Sequence, residues 1–60
     1  MHRYEPQRLY RVEILDPEGK PQHFYVWAPT QELAEREAVR WTGGDVVFTD
    51  DCTPRRKVAA

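Results

Sequence analysis

Cysteine is nearly absent. The single thiol, Cys52, excludes a disulfide within the chain and leaves only a bridge to another molecule. Small secreted domains are usually held by several such bridges, so a reducing compartment, the cytoplasm, is expected. Asparagine is missing altogether, which removes any N-glycosylation acceptor. No apolar run approaches the roughly 20 residues that cross a bilayer. The opening Met1-His2-Arg3-Tyr4-Glu5-Pro6 leads into charged sequence and not into the apolar stretch of a signal peptide. No membrane is expected among the partners.

An excess of one charge is lacking too. Nine Lys and Arg stand against ten Asp and Glu, a formal net charge of -1, so the chain as a whole lacks the electrostatic footprint of a nucleic-acid binder. Arginine is nonetheless enriched at the two ends. Constellations that carry chemistry are also missing. His2, His23, Cys52 and the Asp50-Asp51 pair do not have the spacing of a zinc site. Cys52 has no base beside it in the sequence, and Gly43-Gly44 lacks the Lys-Ser/Thr of a phosphate loop and follows a helix pattern where such a loop precedes one. The expectation is therefore no catalytic residues, no metal and no cofactor.

What is present is alternation. Residues RLYRVEIL from Arg8 place Tyr10, Val12 and Ile14 on one side and Leu9, Arg11, Glu13 and Leu15 on the other, the period of a strand. Asp16-Pro17-Glu18-Gly19-Lys20 then supplies a side-chain acceptor, a fixed φ and a residue free to take positive φ, so a hairpin turn follows. The second strand, HFYVWA, starts near Gln22 or His23. It offers Phe24, Val26 and Ala28 on one face and His23, Tyr25 and Trp27 on the other. Phe24, Val26 and Ala28 are assigned to the core, because Trp and Tyr tolerate partial exposure better than Phe and Val.

Thr30 is the N-cap of a helix through Thr42, with Leu33 where a capping box would need Glu. Gly43 stops it. Leu33, Ala34, Glu37, Ala38 and Trp41 form the stripe expected to meet the sheet, with Glu37 at its edge reaching outward, and Glu32, Glu35, Arg36, Val39 and Arg40 lie around the remainder, facing away. A third strand follows at Val46-Val47-Phe48-Thr49, with Val46 and Phe48 on one face and Val47 and Thr49 on the other. The third strand fits beside the first, antiparallel to it, or directly beside the second. Order 2-1-3 is preferred because it centres the alternating first strand.

The fold expected is α+β: a three-stranded sheet of order β-β-α-β with one helix on one face, spanning residues 7–51. Residues 1–6 read as a flexible lead-in and 52–60 as a basic tail without structure of its own. Starting at Met1, the chain reads as a complete small protein. At sixty residues only about 60% of the unfolded surface is buried, so stability is expected to be marginal and a catalytic cavity would take packing the core needs.

One helix cannot cover both sheet faces. The uncovered face is expected to present Arg11, Glu13, His23, Tyr25, Trp27, Val47 and Thr49, rich in the Tyr, Trp and Arg that anchor protein interfaces. The expected function is a small cytosolic protein-binding module, regulating or inhibiting a larger protein through that face or a sheet edge. One alternative is a nucleic-acid platform on which Tyr25 and Trp27 stack bases and Arg3, Arg11, Arg55, Arg56 and Lys57 meet phosphate. A structural homodimer is the other.

Overall fold

The computed structural model describes residues 6–54. Within them run β1 (Arg8–Leu15), β2 (Pro21–Ala28), α1 (Gln31–Thr42) and β3 (Asp45–Asp51). The fold is α+β: the three strands form one antiparallel sheet of order β2-β1-β3, with the helix on one face, in the β-β-α-β sequence expected. Arg3, Arg55, Arg56 and Lys57 lie outside the described residues.

Asp16 builds the hairpin turn. Its carboxylate accepts from the backbone N–H of Glu18 at 2.9 Å and of Lys20 at 2.8 Å, while its carbonyl accepts from Gly19 N–H at 2.8 Å. Gly19 takes φ 82° there, the left-handed value that favours glycine. These contacts fix the register Leu15↔Pro21 through Arg8↔Ala28. Pro21 opens β2, earlier than the start read from sequence. It is tolerated because β2 is an edge strand, where a missing N–H removes no ladder bond.

Thr30 has extended backbone at φ -138° and ψ 159°, and its hydroxyl accepts from Leu33 N–H at 3.2 Å, closing the helix start. At the other end Gly43, at φ 74°, donates its N–H to Val39 carbonyl at 2.6 Å. Gly44 follows in a place where no side chain fits: a Cβ there would lie 2.0 Å from the Leu15 carbonyl oxygen. The chain thus passes against the end of β1 and enters β3 at once.

The core consists of Tyr10, Val12, Ile14, Val26 and Ala28 from the sheet and Ala34 and Ala38 from the helix, with Phe24, Val39 and Val46 packed partly buried around them. The two helix alanines are fully covered, so the helix backbone lies close to the sheet. Two expectations for the stripe need correction. Leu33 is 40% exposed and Trp41 55%, whereas Val39, read from the sequence as outward, packs against the core. Close approach through Ala34 and Ala38 leaves the larger side chains to straddle the sheet's sides. Trp41 meets Phe24 edge-on at 5.5 Å, and because Phe24 belongs to edge strand β2, no further strand among the described residues covers the rest of the indole.

β3 carries an irregularity. Val46 pairs with Ile14 and Phe48 with Glu13, so Val47 is an extra, bulged residue between them. The pairing continues past the strand: Cys52 N–H donates to Leu9 carbonyl at 2.9 Å, and Leu9 N–H to Thr53 hydroxyl at 2.9 Å. Cys52 and Thr53, assigned from sequence to the tail, are therefore bonded to β1. No helix among the described residues is long and apolar enough to cross a membrane.

Candidate functional site

Among the described residues, nothing forms a layer over the sheet face away from the helix. Its rows follow from the two registers. His23, Glu13 and Phe48 lie side by side in one row, and Tyr25, Arg11 and Asp50 in the next. Trp27 and Leu9 continue beyond them, and Pro21, Leu15 and Asp45 close the opposite end. Neighbouring strands are about 4.8 Å apart, so each row is a contiguous set of side chains.

Three aromatic rings stand on this face in water: Tyr25 is 57% exposed, Trp27 55% and Phe48 55%. Between them, on the central strand, the Arg11 guanidinium donates to the Glu13 carboxylate. That hydrogen bond is the main cause raising the Arg11 pKa above its ordinary value, against a smaller desolvation effect. His23 and Tyr25 meet edge to face, with centroids 5.8 Å apart and planes at 89°, which stiffens the β2 row.

Arg11, Glu13, His23, Tyr25 and Trp27 thus share the face to which the sequence assigned them. Thr49 does not. It pairs with the fully buried Val12, and its hydroxyl donates to Glu35 on the helix, so it belongs to the covered side. Phe48 takes the open position instead, and Val47 is exposed as the bulged residue. The cause is the bulge: strict alternation from Val46 puts Phe48 on the helix side, and one inserted residue reverses that for everything after it. No residue type in Asp45-Val46-Val47-Phe48 announces the insertion. Only the mismatch of a bulky Phe with a helix face already lined by alanines could have signalled it.

Two hollows border this face and the opposite end of the molecule. One, of about 290 Å³, runs from Trp27 past Pro29 and Leu33 to Arg36 and Glu37. The other, of about 330 Å³, lies between the hairpin turn at Asp16–Glu18 and Trp41. Both open broadly to solvent, unlike the enclosed sites that take small ligands. His23 and Cys52 are separated across the sheet: His23 sits on β2 opposite Glu13, and Cys52 lies beyond β3 next to Leu9. The Cys52 thiol, partly buried, is directed to the Asp50 carbonyl at 3.8 Å. Among the described residues, no group of three or more His, Cys, Asp and Glu side chains is gathered as metal ligands would be.

A separate cluster ties the chain after β3 to the helix side of the sheet. Asp51 accepts from the Thr53 hydroxyl at 2.6 Å, from Thr53 N–H at 3.0 Å and from Arg8 at 2.8 Å. Thr53, then Arg8, lower the Asp51 pKa to about 2. This is a structural lock on the open end of the sheet. Comparison with protein-family models, with curated proteins and with solved structures yields no match for the chain.

Proposed function

We propose that the chain is a small protein-binding module, acting in the cytoplasm, and not an enzyme. The observation that carries this reading is the uncovered sheet face: Tyr25, Trp27 and Phe48, each more than half exposed, surround the Arg11–Glu13 pair. Tyr, Trp and Arg are the types that dominate interface energetics, and a partner gains most where rings are already held rigid by a sheet. A regulator or inhibitor of a larger protein and a self-assembling subunit would both use such a face.

A nucleic-acid platform is the weaker reading. Among the described residues the face offers one guanidinium, Arg11, which is engaged by Glu13 and sits beside Asp50. Phosphate binding would have to break that pair and approach a second carboxylate.

Trp27→Ala and Tyr25→Ala test the reading. Each should keep the far-ultraviolet circular dichroism spectrum and lose capture of the partner from native extract. Capture unchanged by both substitutions would remove the face from the binding surface.

A further inference from the structure

On the central strand, the open-face side chains run Leu9, Arg11, Glu13, Leu15: apolar, positive, negative, apolar. The order inverts its charge about Val12. A surface with that property is complementary to itself when turned end for end, which is the requirement of an isologous two-fold contact.

We propose that the occupant of this face is a second copy of the chain, stacked sheet on sheet with the two β1 strands antiparallel and the two-fold axis passing over Val12. The proposal rests on the reading of this face as a protein contact and names its partner. In this arrangement Arg11 of each copy faces Glu13 of the other, and Leu9 faces Leu15. The β2 strands overlie one another, so Tyr25 meets the His23 end of the opposing strand and Trp27 the Pro21 end. On β3 the axis passes over Thr49, so Asp50 of each copy meets Phe48 of the other, a carboxylate against the positive edge of a ring. Stacking with the β1 strands parallel would put Arg11 on Arg11 and Glu13 on Glu13, and like charges brought together at an interface disfavour that orientation. The charge pattern therefore selects one of the two face-to-face alignments.

The area is sufficient. With just over half of each ring exposed, at roughly 200 Å² per ring, Tyr25, Trp27 and Phe48 offer about 330 Å² of aromatic surface per copy. Arg11 and Glu13, whose side chains are 32% and 39% exposed, with Leu15, 41% exposed, and the exposed His23, bring the face to about 600 Å² per copy. A dimer then buries about 1,200 Å², the lower end of the range for specific interfaces.

The test is sedimentation of wild type, R11E, E13R, their equimolar mixture and the double variant R11E/E13R, from about 1 to 500 µM, a range over which mass action reveals a weak dimer. Wild type is expected to dimerise, and each single variant to dissociate at least about tenfold more readily, since its like charges meet twice across the axis. The mixture is expected to recover dimer, because both acidic side chains of one variant then face both arginines of the other. Like charges remain adjacent within each of those chains, so the recovery can come only from contacts between copies. The double variant keeps complementarity within and between chains and is expected to match wild type, which holds the test even where a single variant folds poorly.

A wild type that stays monomeric, single variants that dimerise like wild type, or a mixture or double variant that does not recover would each overturn the proposal. A monomeric wild type that still loses partner capture on Trp27→Ala overturns self-pairing alone. A monomeric wild type with capture unaffected by Trp27→Ala and Tyr25→Ala ends both readings.

Discussion

Gly44→Ala is the sharpest test of how β3 is set against β1. The added methyl would lie 2.0 Å from the Leu15 carbonyl oxygen and 2.9 Å from both Asp16 Cα and Ile14 Cγ2. Two of these three obstacles are backbone, so no rotamer change relieves the clash. Gly44 does not have positive φ, so the effect is steric and not conformational. Relief requires moving the start of β3 by more than 1 Å, roughly the gap to ordinary contact distance, and that pulls on the Leu15↔Asp45 and Ile14↔Val46 pairs. Overpacking of this kind costs about 1–3 kcal/mol, and the strained ladder end adds to it, so about 3 kcal/mol is expected. A single small core rarely supplies more than about 3–5 kcal/mol, so the variant should keep no more than about 2 kcal/mol and begin to unfold at low urea. Urea denaturation followed by tryptophan fluorescence measures the loss. Gly43→Ala is the comparison: its φ of 74° makes the penalty conformational, about 1 kcal/mol, and the nearest atom to its Cβ is a Pro17 side-chain carbon at 3.9 Å. A Gly44→Ala variant within about 0.5 kcal/mol of wild type, or less affected than Gly43→Ala, would refute the steric account.

Two further substitutions separate the faces of β3. Thr49→Val should change stability by no more than about 1 kcal/mol, through the lost bond to Glu35, and leave association and capture as they were. Phe48→Ala should do the reverse, keeping the urea midpoint close to wild type while weakening association in sedimentation, because its ring stands on the open face. Acid sensitivity follows from two carboxylates. The folded-state pKa of Asp51, about 2, and that of Asp16, also lowered, lie below the ordinary value of 3.8. Their stabilisation is complete above about pH 5, falls as pH drops below about 4, and for Asp51 is lost on passing through about 2. Urea midpoints across that window should fall with pH, and Asp51→Asn should flatten the part due to Thr53 and Arg8. A midpoint equally pH-dependent in that variant would assign the acid loss to other groups.

The hairpin, the caps and the face of β2 were legible in the sequence because each is specified locally. Asp16 and Gly19 carry the turn, Thr30 and Gly43 bound the helix, and a period of two separates Phe24 and Val26 from Tyr25 and Trp27. Strand order was legible through β1, whose alternation suits the centre of a sheet. Two things were not. A helix wheel gives the apolar stripe but not the depth at which it docks, and Ala34 and Ala38 bring the backbone so close that Leu33 and Trp41 remain half in water while Val39 is drawn in. The bulge at Val47 depends on how β3 meets Glu13 and Ile14, residues more than thirty positions earlier in the chain. Neighbouring residues do not encode that meeting, and it exchanges Phe48 for Thr49 on the open face.

That exchange bears directly on the proposed function. With Thr49 outside, the face would have its rings only on β2, with a polar border along β3. With Phe48 outside, rings flank the Arg11–Glu13 pair from both edge strands, so the charges lie at the centre and apolar surface on either side. In the core, by contrast, three of the seven buried residues among those described are alanine, and the largest fully buried side chains there are Ile14 and Val12. Among the described residues, Ala28, Ala34 and Ala38 thus lie inside, while Tyr25, Trp27, Trp41 and Phe48 are each more than half exposed. Exposed rings add little to the stability of a monomer and lower its solubility, whereas at a contact they are the groups that bind. Small alanines under the helix and large rings opposite it are two sides of one sheet. The first lets a sixty-residue chain close a core with a single helix, and the second leaves Tyr25, Trp27 and Phe48 in water on the other face, the surface on which the proposed protein contact rests.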